Sequence, residues 1–121
     1  MLANLETKKE IVLDARSAGR FFGTQPELRA GVRSGHIPAS VSLPYTELLG
    51  PDGTFLPAQA LRERFARAGI DGRQPIVTSC GTGVTACILT LGMQLAGFPA
   101  APVYDGSWTE WGSRSDTPIE V

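Results

Sequence analysis

The chain has 121 residues, 42% hydrophobic and 19% charged, which suits a single domain (1–121) with an ordinary core and no need of disulfides or a structural metal. Lys and Arg number 11 against 12 Asp and Glu, a net charge of −1; a general pull toward nucleic acid or an anionic membrane is excluded, and any anion recognition must be local. Two cysteines without a CxxC pair and one histidine are too few for a four-ligand zinc site. No apolar run is long enough to span a bilayer and no charged-then-apolar leader opens the chain, so a cytoplasmic protein is expected.

Ile11-Val12-Leu13, apolar and partly β-branched, predicts a strand ending at Asp14. Ser17 can cap a short helix through about Phe22, its hydroxyl accepting from the first turn's N–H groups. Residues 23–38 lack a period and carry Gly, Pro and charge, which predicts loop. Val41-Ser42-Leu43 alternates as a small strand closed by Pro44. Tyr45 to Leu49 predicts one helical turn, and Pro51-Asp52-Gly53 a tight turn. From Pro57 to Ala68 the pattern is an amphipathic helix with Leu61, Phe65 and Ala68 on one face, ended by Gly69.

Ile76 to Ser79 predicts the next strand. Residues 83–96 predict a helix apolar on nearly all sides, from Val84 through Leu95, and such a helix is normally buried. A last strand, Val103-Tyr104, leads through Asp105-Gly106 into a short helix from Ser107 to about Ser113; the tail carries no pattern. Strands alternating with helices imply an α/β fold, a mainly parallel central sheet with helices on both faces.

Cys80 falls between the strand 76–79 and the following helix, at the carboxyl end of a strand, where α/β folds bind ligands. Gly81 and Gly83 let the backbone curl, so that successive N–H groups of the loop can form an anion nest at a helix N-terminus. The same field favours thiolate: cysteines so placed can titrate at roughly 3.5–7.5, against about 8.5 when free. Hydroxyls at Thr82 and Thr85 add potential donors. A packed, inert thiol is the ordinary alternative for any cysteine, and the glycine-bearing strand–loop–helix setting argues against it. Cys87 follows seven residues later, about 10 Å along a helix, too far for a disulfide. Set in the apolar helix, it is expected to be core.

Three segments carry a resemblance: Cys80-Gly-Thr-Gly-Val-Thr-Ala86, residues 14–38 (DARSAGRFFGTQPELRAGVRSGHIP) and residues 104–111 (YDGSW-x-EW). In this order, over about Leu5 to Trp111, they resemble the rhodanese superfamily, and within it the C-terminal, catalytic half of two-domain sulfurtransferases that use 3-mercaptopyruvate. The resemblance implies a rhodanese-like fold, no cofactor, and a Cys80 persulfide passed on to a thiol acceptor, thioredoxin or cyanide. It implies that Gly81, Thr82, Gly83, Val84 and Thr85 cradle the small-molecule sulfur donor, and that Arg20 and Arg29, in the GRF and PE-x-R segments, bind its carboxylate. Guanidinium suits that task, since its planar fork makes two charge-assisted hydrogen bonds to one carboxylate.

Thiosulfate-using members of the superfamily place two cationic residues after the cysteine; Gly81 and Thr82 are neutral, which favours the singly charged mercaptopyruvate. Thr82 stands where those relatives usually have serine and keeps the hydroxyl. The resemblance makes His36 a turn residue rather than a general base. Asp14 and Arg16 are expected to form a local ion pair, and Phe21, Trp108 and Trp111 to pack, with Trp108 near the pocket mouth. A cysteine phosphatase would close the loop with an arginine, where Ala86 and Cys87 stand. Two alternatives stay open: a thiosulfate sulfurtransferase, and a non-catalytic rhodanese binding module. The resemblance further implies an N-terminal rhodanese domain preceding this one, as in a segment of a longer chain; a single-domain protein with an open site is the other reading.

Overall fold

The computed structural model describes residues 10–25, 27, 31–70, 74–81, 85–99, 101–104 and 106–121. The elements run in chain order as strand β1 (Ile11–Asp14), helix α1 (Ala18–Phe21), strand β2 (Val41–Ser42), a 3-10 helix (Tyr45–Leu48), helix α2 (Ala58–Arg67), strand β3 (Ile76–Ser79), helix α3 (Ala86–Leu95) and helix α4 (Ser107–Trp111). The three strands form a parallel sheet in the order β2-β1-β3. β1 lies against β3 in the register Ile11↔Ile76 to Asp14↔Ser79. On its other edge β3 takes a single parallel bridge, Thr78↔Val103. That bridge is what the Val103-Tyr104 strand amounts to.

Side chains alternate across a strand, and the core divides accordingly. Leu13 and Ala15 join Leu43, Leu48, Leu61, Phe65, Ile76, Cys80, Leu89 and Met93 in the larger cluster, under α2, α3 and the 3-10 helix. Val12 points the other way, into a cluster with Ile37, Trp108 and Trp111 of α4. Both faces are therefore covered, and every residue of β3 is buried, as a strand paired on both edges beneath helices should be.

Local chemistry sets the element ends. The Ser17 side chain accepts from the Arg20 N–H at the start of α1, and Gly69 ends α2 at φ +88°, a value that favours glycine. The helix expected from residue 83 is α3, from Ala86; residues 82–84 lie outside those described.

Two expectations are corrected. α3 is not buried on all sides: Ala86, Leu89, Gly92 and Met93 face the core, whereas Leu91 and Leu95 are 46% and 48% exposed. Cys87 is likewise exposed rather than core, because α3 meets the 3-10 helix, α2 and β3 along one side alone. The patternless tail is also structured by the rest of the chain. Glu120 pairs with His36 through two backbone hydrogen bonds of 2.8 and 2.9 Å, and the Trp111 indole N–H donates to the Pro118 carbonyl (2.7 Å).

Candidate active site

The parallel strands β1 and β3 end side by side at Asp14 and Ser79, so the segments leaving them, 15–25 and 80–81, meet at one corner of the domain. Cys80 is the first residue after β3. It is 1% exposed and belongs to the larger core cluster, and neither cysteine forms a disulfide. Burial by itself describes a packed thiol as well as a nucleophile. The polar frame around the residue is more particular. Its N–H donates to the Ser107 hydroxyl (3.1 Å), and its carbonyl accepts from the Trp108 N–H (2.8 Å). The Gly81 carbonyl accepts from both the N–H and the hydroxyl of Thr109 (2.8 and 2.6 Å). The first turn of α4 thereby fixes the backbone at Cys80 and Gly81.

Ser107 had no role in the sequence reading beyond its place in the YDGSW segment. Its φ is +49°, a left-handed value uncommon outside glycine and costing about 1–3 kcal/mol. The surrounding bonds hold it there: its hydroxyl accepts from Cys80 and donates to the Tyr104 carbonyl (2.7 Å). Tyr104 in turn donates its hydroxyl to Glu110 (2.6 Å). Burial, reinforced by that carboxylate, pushes the phenol above its ordinary range, so Tyr104 stays a neutral donor through neutral pH.

On the β1 side, Arg16 and Asp14 form the expected ion pair, buried and closed by three hydrogen bonds from Arg16 Nε and Nη2 of 2.8–3.1 Å. Arg16 also donates to the Gly35 carbonyl (2.7 Å) and to Glu27 (3.3 Å), and its guanidinium lies 4.7 Å over the Trp108 ring, a cation–π distance. Glu27 bonds Arg20 as well, Nη2 to Oε1 at 2.9 Å. Arg20 is the exposed member of the set, with 36% of its side chain in solvent. Its guanidinium lies against Gly81: a Cβ built there would meet Arg20 Nη2 at 3.1 Å. Glycine at 81 therefore admits a cation beside the cysteine that a larger side chain would displace.

The structure thus brings Cys80, Gly81 and Arg20 together. Thr85 stands just before α3 with helical backbone angles and no capping bond from its hydroxyl. Arg29, Thr82, Gly83 and Val84 lie outside the described residues. His36 is buried and stacked on Phe21 with centroids 3.8 Å apart. Its Nδ1 lies 2.7 Å from the Phe21 carbonyl, a bond that ties the ring to the fold, and its Nε2 lies 3.6 Å from the Glu120 carboxylate. Trp108 is buried, its indole N–H donating to the Arg33 carbonyl (2.7 Å); it packs beneath Arg16 and is not at a solvent-facing mouth. Ser107 and Glu27 are the site residues that sequence reasoning passed over. Both stood inside quoted segments, but a lone serine or glutamate reads as surface until its partners are known. Among the described residues no helix is long and apolar enough to cross a membrane, and no three His, Cys, Asp or Glu side chains gather to hold a metal.

Residues 1–114 match the family model described as the rhodanese-like domain. The chain belongs to the rhodanese family. It is 50% identical over 117 residues to thiosulfate/3-mercaptopyruvate sulfurtransferase 1, mitochondrial, of Arabidopsis thaliana, covering 97% of this chain and 31% of that protein. It is 48% identical over 115 residues to 3-mercaptopyruvate sulfurtransferase of Rattus norvegicus, covering 95% of this chain and 39% of the relative. Among solved structures, the crystal structure of Tum1 protein from Saccharomyces cerevisiae superposes with a TM-score of 0.85 at 39% identity, over 98% of this chain and 44% of that one. This rhodanese domain spans 31% and 39% of the length of the two curated relatives named here and corresponds to their C-terminal domain.

Proposed function

We propose that this rhodanese domain is the catalytic, C-terminal half of a two-domain sulfurtransferase that takes sulfur from 3-mercaptopyruvate through a persulfide on Cys80. In the first step the Cys80 thiolate attacks the donor's sulfur. An S–S bond forms, the donor's C–S bond breaks, and its electron pair leaves on carbon as the enolate of pyruvate, which takes up a proton. In the second step an acceptor thiolate, or cyanide, attacks the outer sulfur and releases the Cys80 thiolate. No electrons are gained or lost overall, so no redox cofactor is required.

The observation that carries this reading is the packing of the Arg20 guanidinium against Gly81, one residue from Cys80. An exposed guanidinium beside the nucleophile suits a donor that carries a carboxylate, which it can hold through two parallel hydrogen bonds. The names of both curated relatives described above include 3-mercaptopyruvate, and the neutral pair Gly81-Thr82 supports the same donor over dianionic thiosulfate. Arg29 is proposed as the second carboxylate ligand, and Gly81 to Thr85 as the cradle for the transferred sulfur. The position of Cys80 between β3 and α3 supports its role as a thiolate nucleophile, which helix N-termini favour.

The test is direct. Incubation with mercaptopyruvate adds one sulfur to the protein, read by intact mass, and Cys80→Ser abolishes it. Arg20→Ala and Arg29→Ala each raise the half-saturating mercaptopyruvate concentration about tenfold or more, the worth of a charge-assisted hydrogen bond. Persulfide from thiosulfate but not from mercaptopyruvate overturns the choice of donor. Absence of persulfide with either donor, in folded protein, overturns the enzymatic reading in favour of a binding module.

A further inference from the structure

The proposed chemistry leaves Glu27 unused, and its setting is unusual for a glutamate in a loop. Its side chain is 4% exposed, a placement that is costly for a carboxylate unless it is paired. Each oxygen takes a different guanidinium, Oε2 that of Arg16 (3.3 Å) and Oε1 that of Arg20 (2.9 Å). The two arginines are held very differently. Arg16 is locked by Asp14, by the Gly35 carbonyl and by the face of Trp108. Arg20 reaches the surface, and Glu27 is its one ion-pair partner among the described residues.

We infer that Glu27 is a positioning residue: anchored through Arg16 to the end of β1, it holds the Arg20 guanidinium over Gly81, ready to receive the donor's carboxylate beside Cys80. The inference rests on the reading of Arg20 as a carboxylate ligand. A guanidinium has five N–H donors; the bond to Glu27 uses one and leaves the remaining edges for a second carboxylate. A long, solvated arginine loses rotamer entropy when it binds, and ordering it beforehand removes part of that cost. Glu27 also balances charge. Asp14 and Glu27 offset Arg16 and Arg20, so the cation is fixed in place with no net charge added to the corner.

The experiment compares alkylation of Cys80 by iodoacetate, which bears a carboxylate, and by iodoacetamide, which does not, with the exposed Cys87 replaced by Ser throughout. The ratio of the two rates reports carboxylate capture without any sulfur transfer. Arg20→Ala is expected to lower that ratio roughly fivefold, the worth of a partly exposed ion pair. Glu27→Ala is expected to lower it similarly, while the Arg20→Ala, Glu27→Ala double variant falls no further than Arg20→Ala alone. Glu27→Gln keeps the shape and one acceptor oxygen, so it gives an intermediate ratio and stands in if the alanine variant does not fold. A merely structural Glu27 lowers the melting temperature and leaves the ratio at its wild-type value; that result, beside a lowered ratio for Arg20→Ala, overturns the inference. An unchanged ratio in Arg20→Ala overturns both the inference and the carboxylate role of Arg20. The expected ratios without persulfide from mercaptopyruvate sustain the positioning role and reject the donor.

Discussion

Ser107 shows how one side chain can hold a strained backbone and frame a neighbour at once. It accepts from the Cys80 N–H and donates to the Tyr104 carbonyl while its own φ lies in the left-handed region. Ser107→Ala strands the buried Cys80 N–H and keeps the strain, so a loss of about 1–3 kcal/mol is expected in urea unfolding. Ser107→Gly loses the same bonds but relaxes the backbone, and is expected to be the more stable of the two variants. An alanine variant as stable as wild type would show that the Cys80 N–H finds another acceptor. At this scale the sequence spoke unevenly. Cys80 was legible because glycines and a strand end surround it in the chain itself. Glu27 and Ser107 were not, because Arg16, Arg20 and Cys80 become their neighbours only once β1, β3 and α4 are assembled.

Among the elements, α3 departs most from its pattern. Its sequence is apolar on almost every side, yet burial follows from what lies opposite a face, and the neighbours of α3 lie on one side. The buried face is tightly set: a Cβ at Gly92 would meet Leu48 Cδ1 at 2.7 Å, with Phe55 and Phe65 behind it. Helix propensity alone predicts that Gly92→Ala gains about 1 kcal/mol. Overpacking costs about 1–3 kcal/mol, and the fully buried Leu48 has no room to swing away. The expected balance is a net loss of up to about 2 kcal/mol. A melting temperature above wild type would mean that α3 can shift off the 3-10 helix. The strands and α2 were readable to within a residue or so, because β-branched runs, a clean amphipathic period and Gly69 each act locally.

For the molecule as a whole, the α/β layering was legible in the alternation of elements, whereas the anchoring of the tail was not. No period marks residues 114–121, yet Arg33 donates to the carbonyls of Gly112, Trp111, Arg114 and Thr117 at 2.5–3.2 Å, and Glu120 pairs with His36. These bonds seat the tail over Trp111 and so support the helix that frames Cys80. Deletion of residues 114–121 is expected to cost roughly 3 kcal/mol or more, to speed amide exchange at His36, and to quicken Cys80 alkylation. Unchanged alkylation in a folded deletion variant would mean that α4 holds its place without the tail. The corner itself joins segments far apart in the chain, with Cys80 and Ser107 separated by 27 positions. A ribosome delivers them in that order, at about 5–20 residues per second, so for roughly one to five seconds the newborn thiol exists without the helix that frames it. An oxidant meeting the nascent chain in that interval finds a thiol whose backbone has not yet been fixed by Ser107.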